Sequence, residues 1–320
     1  MTPPEKLRNL PASVHQRLLN WAHAQGADFN LVLQRYVGER FLYRLGLTAE
    51  VDRFTLKGAA LFLVWTGREF RATRDVDLLG SGPTDHAAIR EAISTICAVE
   101  FPEDGLIFDP TSVRVENVSE EQEYGGVSVK LRASLGRASL PLQIDIGFGD
   151  AITPAREEAE YPTLLAQPAP RVWAYPRETS VAEKFEAMVR LGPGNSRMKD
   201  FWDVAAFAKQ FEFDGETLRA AVDETFRRRG TALGDELPDA LRPVFYEDEA
   251  RVQLWQAFQG VAGAAIDVPA RFEEAGELIR LFLGPIRESL VRGEPFTRVW
   301  AGGGSWSAAG FQASGEEGDV

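Results

Sequence analysis

The segment of this 320-residue chain best suited to chemistry is Asp75-Val76-Asp77. The run Asp75-Val76-Asp77-Leu78-Leu79 reads as a strand, ended by Gly80-Ser81-Gly82-Pro83. Side chains alternate along a strand, so two carboxylates two positions apart project from one face. Like charges side by side repel. A divalent cation between them relieves this, and Mg²⁺ takes hard oxygen ligands. A third carboxylate, Asp145, stands in Leu142-Gln143-Ile144-Asp145-Ile146, where the three aliphatic residues form one face and Asp145 the other. Three carboxylates on adjacent strands are the ligand set of two-metal phosphoryl transfer: one ion holds a triphosphate and the other lowers the pKa of an attacking hydroxyl. The structural alternative is a turn residue at Asp77 and an edge-strand charge at Asp145, because D-x-D alone is a weak signal.

Neighbouring residues strengthen the chemical reading. Lys57-Gly58 precedes Asp75 by about 18 residues. A glycine at a predicted helix start lets backbone approach a phosphate, and the helix N-terminus offers N–H donors. Thr73 adds a hydroxyl two residues before Asp75. Further along, Glu178–Arg190 has an apolar side made by Val181, Phe185, Met188 and Val189, with Lys184 at its edge. Arg197, Lys199 and Asp200 then cluster where another helix begins. Lys184 could reach a nucleotide phosphate, and Asp200 could orient a base or hold Lys184. The alternative is a solvated helix face with ion pairs worth roughly 0–1 kcal/mol. The chain uses Arg 29 times and Lys six times, yet Lys57, Lys130, Lys184 and Lys199 all fall in or beside these elements. An ammonium is a compact point charge suited to phosphate.

The elements that must position these residues give an α/β, or α+β, reading. Two helices occupy Pro11 to about Leu45, the first capped by Ser13 and broken at Gly26. A third starts near Gly58 and runs through Trp65. After the Asp75 strand comes a helix from Thr84 to Val99, with Thr84 as cap. Three alternating strands follow at about 112–117, 126–132 and 140–146. Residues 147–176 read as a Pro- and Gly-rich surface loop. Helices at about 178–191 and 197–210 flank Gly192-Pro193-Gly194-Asn195. The remainder is mostly helical, ending in a low-complexity tail. The expected organisation is 1–50 N-terminal helices, 51–176 the core, 177–300 a helical region and 301–320 a disordered tail.

Composition sets outer limits. With 35 Lys and Arg against 48 Asp and Glu, net −13, the chain is not a general nucleic-acid coat, although one local basic site is compatible with that sum. Three scattered histidines, His15, His23 and His86, argue against a His-based zinc site. The single cysteine, Cys97, has no disulfide partner within the chain and fits a reducing cytoplasm. No apolar run approaches the ~18 residues of a membrane span. Arg219 and Arg227-Arg228-Arg229 form a basic patch that reads either as a solvated face or as an RNA backbone contact.

Taken in order, three groups of motifs carry a resemblance. The first is Val37–Leu45, Phe54-Thr55-Leu56-Lys57-Gly58-Ala59 and Arg71-Ala72-Thr73-Arg74-Asp75-Val76-Asp77-Leu78-Leu79. The second is Gln143-Ile144-Asp145-Ile146-Gly147-Phe148-Gly149-Asp150. The third is Ala182-Glu183-Lys184-Phe185-Glu186-Ala187 with Asn195–Asp203. Together they resemble the AbiEii/AbiGii nucleotidyltransferase toxins over about residues 14–210. The resemblance implies a polymerase-β-like nucleotidyltransferase core of mixed sheet and flanking helices. It also implies the toxin half of a bacterial type IV toxin–antitoxin pair, often linked to phage defence. Such proteins use Mg²⁺ and a nucleoside triphosphate, some adding nucleotides to the tRNA 3′ end, and they have a cognate antitoxin. Carried over by position, Asp75 and Asp77 match the metal-binding pair, Lys184 the catalytic lysine and Asp200 the last acidic motif, with Asp203 the runner-up. Lys57, Gly58 and Thr73 match the triphosphate motif, and Asp145 the carboxylate of the following strand. Ala59 departs from the Gly or Ser expected there, so the hydroxyl contact to phosphate falls to Lys57 or Thr73. Two alternatives stay open: a catalytically silent nucleotide- or antitoxin-binding module, and transfer to a protein or small-molecule acceptor.

Overall fold

The computed structural model describes residues 9–68, 74–117, 126–262 and 268–308. The chain divides into two compact units, Met1–Asp150 with Arg156–Tyr175, and Ala151–Ala155 with Pro176–Val320.

In the first unit, helix α1 (Leu10–Gln25) is capped by Asn9, whose Oδ1 accepts from Ala12 N at 3.2 Å, rather than by Ser13. Pro11 is tolerated because the first turn has no use for its missing N–H. Helix α2 (Phe29–Gly46) is capped by Asp28 and buries Tyr36, Val37, Phe41, Leu42 and Leu45. There follow β1 (Phe54–Lys57), α3 (Ala60–Thr66), β2 (Val76–Gly80), α4 (His86–Cys97), β3 (Leu106–Asn117), β4 (Val127–Leu135), β5 (Ala138–Phe148), β6 (Glu157–Glu160) and β7 (Arg171–Ala174). Asp85, not Thr84, caps α4, accepting from Ala87 N and Ala88 N.

The seven strands form one mixed sheet in the order β3-β4-β5-β2-β1-β7-β6. The pairs β2–β5 and β1–β7 are parallel and the others antiparallel. The register is fixed by its buried residues. Leu56, Leu78, Ile146 and Val127 align across four strands and are all buried. Fully burying such a side chain contributes about 1.5–3 kcal/mol. A one-residue slip would put Gln143 and Asp145 where Leu142, Ile144 and Ile146 sit, so the apolar face sets the placement of the polar one.

Three strands of the first unit lie where the sequence suggested none. β1 falls in what read as a lead-in to a helix; Phe54, Thr55 and Leu56 are all buried, so it has no alternation to detect. β6 and β7 lie inside the segment read as a surface loop. Each has only four residues, and β6 is Glu157-Glu158-Ala159-Glu160, polar throughout.

The second unit holds α5 (Arg177–Leu191), α6 (Met198–Gln210), β8 (Phe213–Asp214), α7 (Gly215–Arg229), α8 (Pro243–Tyr246), α9 (Glu249–Ala262), α10 (Phe272–Arg292), β9 (Arg298–Trp300) and β10 (Trp306–Ala308). Its core is aromatic: Phe201 meets Phe245, Tyr246 and Phe272, and Trp255 stacks on Phe272 at 5.0 Å. Residues 301–308, read as the start of a disordered tail, instead form a turn and a strand. β10 pairs with β9, and Trp306 packs on Phe282, Phe296 and Trp300. That apolar anchor outweighs the low-complexity composition around it. The rest of the tail, 309–320, lies outside the described residues.

Candidate active site

The central row of the first unit's sheet carries the charges. Lys57 pairs with Asp77 across β1–β2, Asp77 with Asp145 across β2–β5, and Asp145 with Ser128 across β5–β4. Residues paired across strands share a face, so these four project together from the side opposite Leu56, Leu78 and Ile146. Neighbouring strands lie ~4.8 Å apart, which puts Asp77 and Asp145 one strand spacing from each other. Gln143 Nε2 donates to both oxygens of Asp145, at 3.1 and 3.2 Å, and holds that carboxylate over the sheet. Asp75 stands one residue before β2. It lines a cleft of the first unit with Gln34, Arg35, Glu39, Ala59, Ala60 and Arg74. Thr73 lies outside the described residues.

Gly58 follows Lys57 with φ +76°, a left-handed conformation that favours glycine. A Cβ placed there would lie 2.7 Å from Asp77 Cγ and 2.9 Å from Asp77 Cβ. The chain therefore needs glycine twice over, for its backbone and for the close approach to the Asp77 carboxylate. α3 begins at Ala60, two residues later than the predicted helix start, and Ala59 is buried.

Lys57 is held in place. Its Nζ sits 3.0 Å from Asp150 Oδ2, with both side chains largely buried, and 5.5 Å from the centre of the Tyr175 ring. To get there it passes over β5 at Gly147, where a Cβ would come within 3.5 Å of Nζ. The sequence reading placed Gly147-Phe148-Gly149-Asp150 in the second group of motifs, at the start of a loop; its acidic residue proves to be the partner of Lys57. Lys130, by contrast, makes an exposed pair with Glu116 at 2.7 Å, which pushes its pKa up.

Among the described residues, no three Asp, Glu, His or Cys side chains gather as a metal-holding group. The structure brings Asp77 and Asp145 together in one row and leaves Asp75 outside β2. The donor chemistry still fits a hard cation, because both aligned side chains are carboxylates on one polar face.

The second unit carries the other motif. Lys184 on α5 meets two carboxylates of α6: Asp203 Oδ2 at 2.7 Å and Asp200 Oδ1 at 3.3 Å. Asp203 is fully buried and Asp200 nearly so, while Lys184 keeps 15% of its side chain exposed. Both acids of the sequence reading therefore hold the lysine, and the buried Asp203 makes the shorter contact. Asp200 Oδ2 also faces Arg197 Nε at 3.0 Å. α5 is itself clamped. Arg229 of α7 reaches Glu183 at 3.2 Å and the fully buried Glu186 at 2.9 Å, one on either side of Lys184 in sequence. Glu186 also accepts from Thr231 Oγ1 and Arg190 Nε. Arg229 thus leaves the basic patch that sequence suggested and joins the frame of α5. Nothing in a three-arginine run marks which member turns inward.

Among the described residues no helix is long and apolar enough to cross a membrane. In fold, the chain is similar to MenT4, a nucleotidyltransferase toxin from Mycobacterium tuberculosis H37Rv. That likeness has TM-score 0.56 and 17% identity, over 86% of this chain and 89% of that one. JHP933 from Helicobacter pylori matches with TM-score 0.47 and 13% identity, over 79% and 90%. No curated protein matches the sequence significantly. Residues 40–277 match the family described as nucleotidyl transferase AbiEii toxin, type IV TA system, and this span holds Lys57, Asp77, Asp145 and Lys184 alike. The chain belongs to the AbiEii family and is a nucleotidyltransferase toxin of a type IV toxin–antitoxin system.

Proposed function

We propose that the chain transfers a nucleotide from a nucleoside triphosphate to the 3′-hydroxyl of an RNA, with tRNA as the acceptor, in a Mg²⁺-dependent reaction in the cytoplasm. The observation that carries this reading is the row Lys57, Asp77 and Asp145 on one polar face, with Gly58 closed against Asp77. Asp77 and Asp145 would hold the cation, with Asp75 beside them. Bound there, a divalent ion supplies charge neutralisation at the phosphates and lowers the pKa of the attacking hydroxyl. Lys57, fixed by Asp150, places a positive charge at the end of the row for a phosphate oxygen. Lys184, fixed by Asp200 and Asp203, neutralises charge that develops on the phosphates during transfer. Thr73 would add a hydroxyl to the triphosphate contact. A cognate antitoxin opposes this activity.

The test is incubation of the purified chain with Mg²⁺, total RNA and each labelled nucleoside triphosphate in turn. Label in a tRNA-sized band is the expected result, and label on protein instead would overturn the RNA acceptor. Asp77→Ala is expected to abolish both transfer and growth inhibition. Undiminished transfer by that variant would remove the metal-site assignment.

A further inference from the structure

Arg197 lies at the N-cap of α6, two residues beyond the buried Asn195, whose Oδ1 accepts from Arg197 N at 2.8 Å. Its side chain is 40% exposed, and its Nε stands 3.0 Å from Asp200 Oδ2. That oxygen is buried and accepts no hydrogen bond, so the contact is one of charge rather than of aligned donor and acceptor. Among the described residues, Asp200 is the partner of the Arg197 guanidinium, through Nε alone. Asp200 thus lies between two cations, Lys184 on Oδ1 and Arg197 on Oδ2. The backbone hydrogen bond and the buried carboxylate fix where Arg197 starts and where its guanidinium rests. The four N–H donors on its two terminal nitrogens remain available to something outside the protein. A planar fork of uncommitted donors beside a second fixed cation matches the geometry of a phosphate oxyanion.

We infer that Arg197 is a phosphate-binding residue of the transfer reaction, donating to an oxyanion of the nucleoside triphosphate beside Lys184. The inference rests on reading the Lys184 cluster as phosphate-binding. The test compares Arg197→Gln, Arg197→Lys and Lys184→Gln in the full chain. KM and kcat are measured for the triphosphate and for RNA, with inorganic tripolyphosphate as competitor and thermal denaturation as the check on folding. Arg197→Gln is expected to raise the triphosphate KM and the inhibitory concentration of tripolyphosphate in parallel, each roughly tenfold or more, with kcat little changed. Arg197→Lys should recover part of this, since it keeps the charge and loses the fork. A rise confined to the KM for RNA would place the oxyanion on the acceptor's backbone and overturn the triphosphate assignment. Unchanged KM values, or a fall confined to kcat, would reduce Arg197 to a support for Asp200 and overturn the inference. If Lys184→Gln is also without effect, the underlying reading of the cluster fails; if only the Arg197 variants are silent, the inference alone does.

Discussion

Replacing Gly58 by alanine separates two costs that a glycine can conceal. At φ +76° an L residue is strained by roughly 1–2 kcal/mol, whatever surrounds it. The second cost is specific to this position. The new Cβ would come 2.7 Å from Asp77 Cγ and 2.9 Å from Asp77 Cβ, closer than real Cβ atoms approach other heavy atoms. Asp77 cannot swing away at a flexible far end, because its short side chain rises from a central strand paired on both sides. Either the carboxylate turns off its rotamer or β1 and β2 part. Gly26→Ala is the matched control: it has φ +62° and nothing within 4 Å of its Cβ. Gly26→Ala should lose about 1–2 kcal/mol in thermal denaturation, seen as a few degrees in Tm, and Gly58→Ala more than that because the clash adds to the strain. Only Gly58→Ala should lose transfer of labelled nucleotide to RNA, by roughly 100-fold, the cost of misplacing a reacting group by about an ångström. A folded Gly58→Ala chain with the wild-type rate would refute the reasoning. So would a Gly26→Ala chain equally inactive.

Three other outcomes follow from the structure. Arg229→Ala leaves the buried Glu186 short of a cation and should destabilise the chain by about 3 kcal/mol in denaturant titration, whereas exposed Arg227→Ala should be near neutral. Gly147→Ala adds a Cβ at an ordinary 3.5 Å from Lys57 Nζ and should keep activity; Gly147→Leu should push Lys57 away from Asp150 and raise the triphosphate KM. Burial raises the Glu39 carboxyl from 4.5 to about 7, with Arg40 opposing the shift. The folded state then holds that proton more tightly than the unfolded one. This contribution is complete below pH 4.5 and is lost as pH rises to about 7, at up to ~1.4 kcal/mol per pH unit. Midpoints of urea unfolding across that window should show the decline in the wild type and lack it in Glu39→Gln.

What was legible in the sequence was what a strand or helix repeats. β2, β4 and β5 alternate between apolar and polar positions, so Asp77 and Asp145 could be placed on a polar face. Their alignment one strand apart could not, because it depends on β5 pairing parallel with β2 across about 60 residues of chain. β1 escaped notice for the opposite reason: Phe54, Thr55 and Leu56 are buried without alternation. The partners of the lysines were the hardest to see. Lys184 reaches Asp200 and Asp203 across two helices, and Lys57 reaches Asp150 across 93 positions, passing close to Gly147. Asp200 and Asp203 were distinguishable only by depth and distance, since three positions apart they lie on one side of α6.

Identical side chains thus divide by what they face. Asp77 and Asp145 stand in the row suited to a cation, while Asp150, Asp200 and Asp203 each hold a lysine. This division explains how a chain of net −13 can handle a polyanion. Screening weakens charges farther apart than about 8–10 Å, so the total matters less to a bound phosphate than the cations next to it. A lysine without a partner would spread over several rotamers. Buried aspartates at 2.7 and 3.3 Å fix the position of Lys184. The carboxylates therefore order the cation instead of cancelling it, as the proposed phosphate-binding role requires, and acidic composition at such a site is compatible with phosphoryl chemistry.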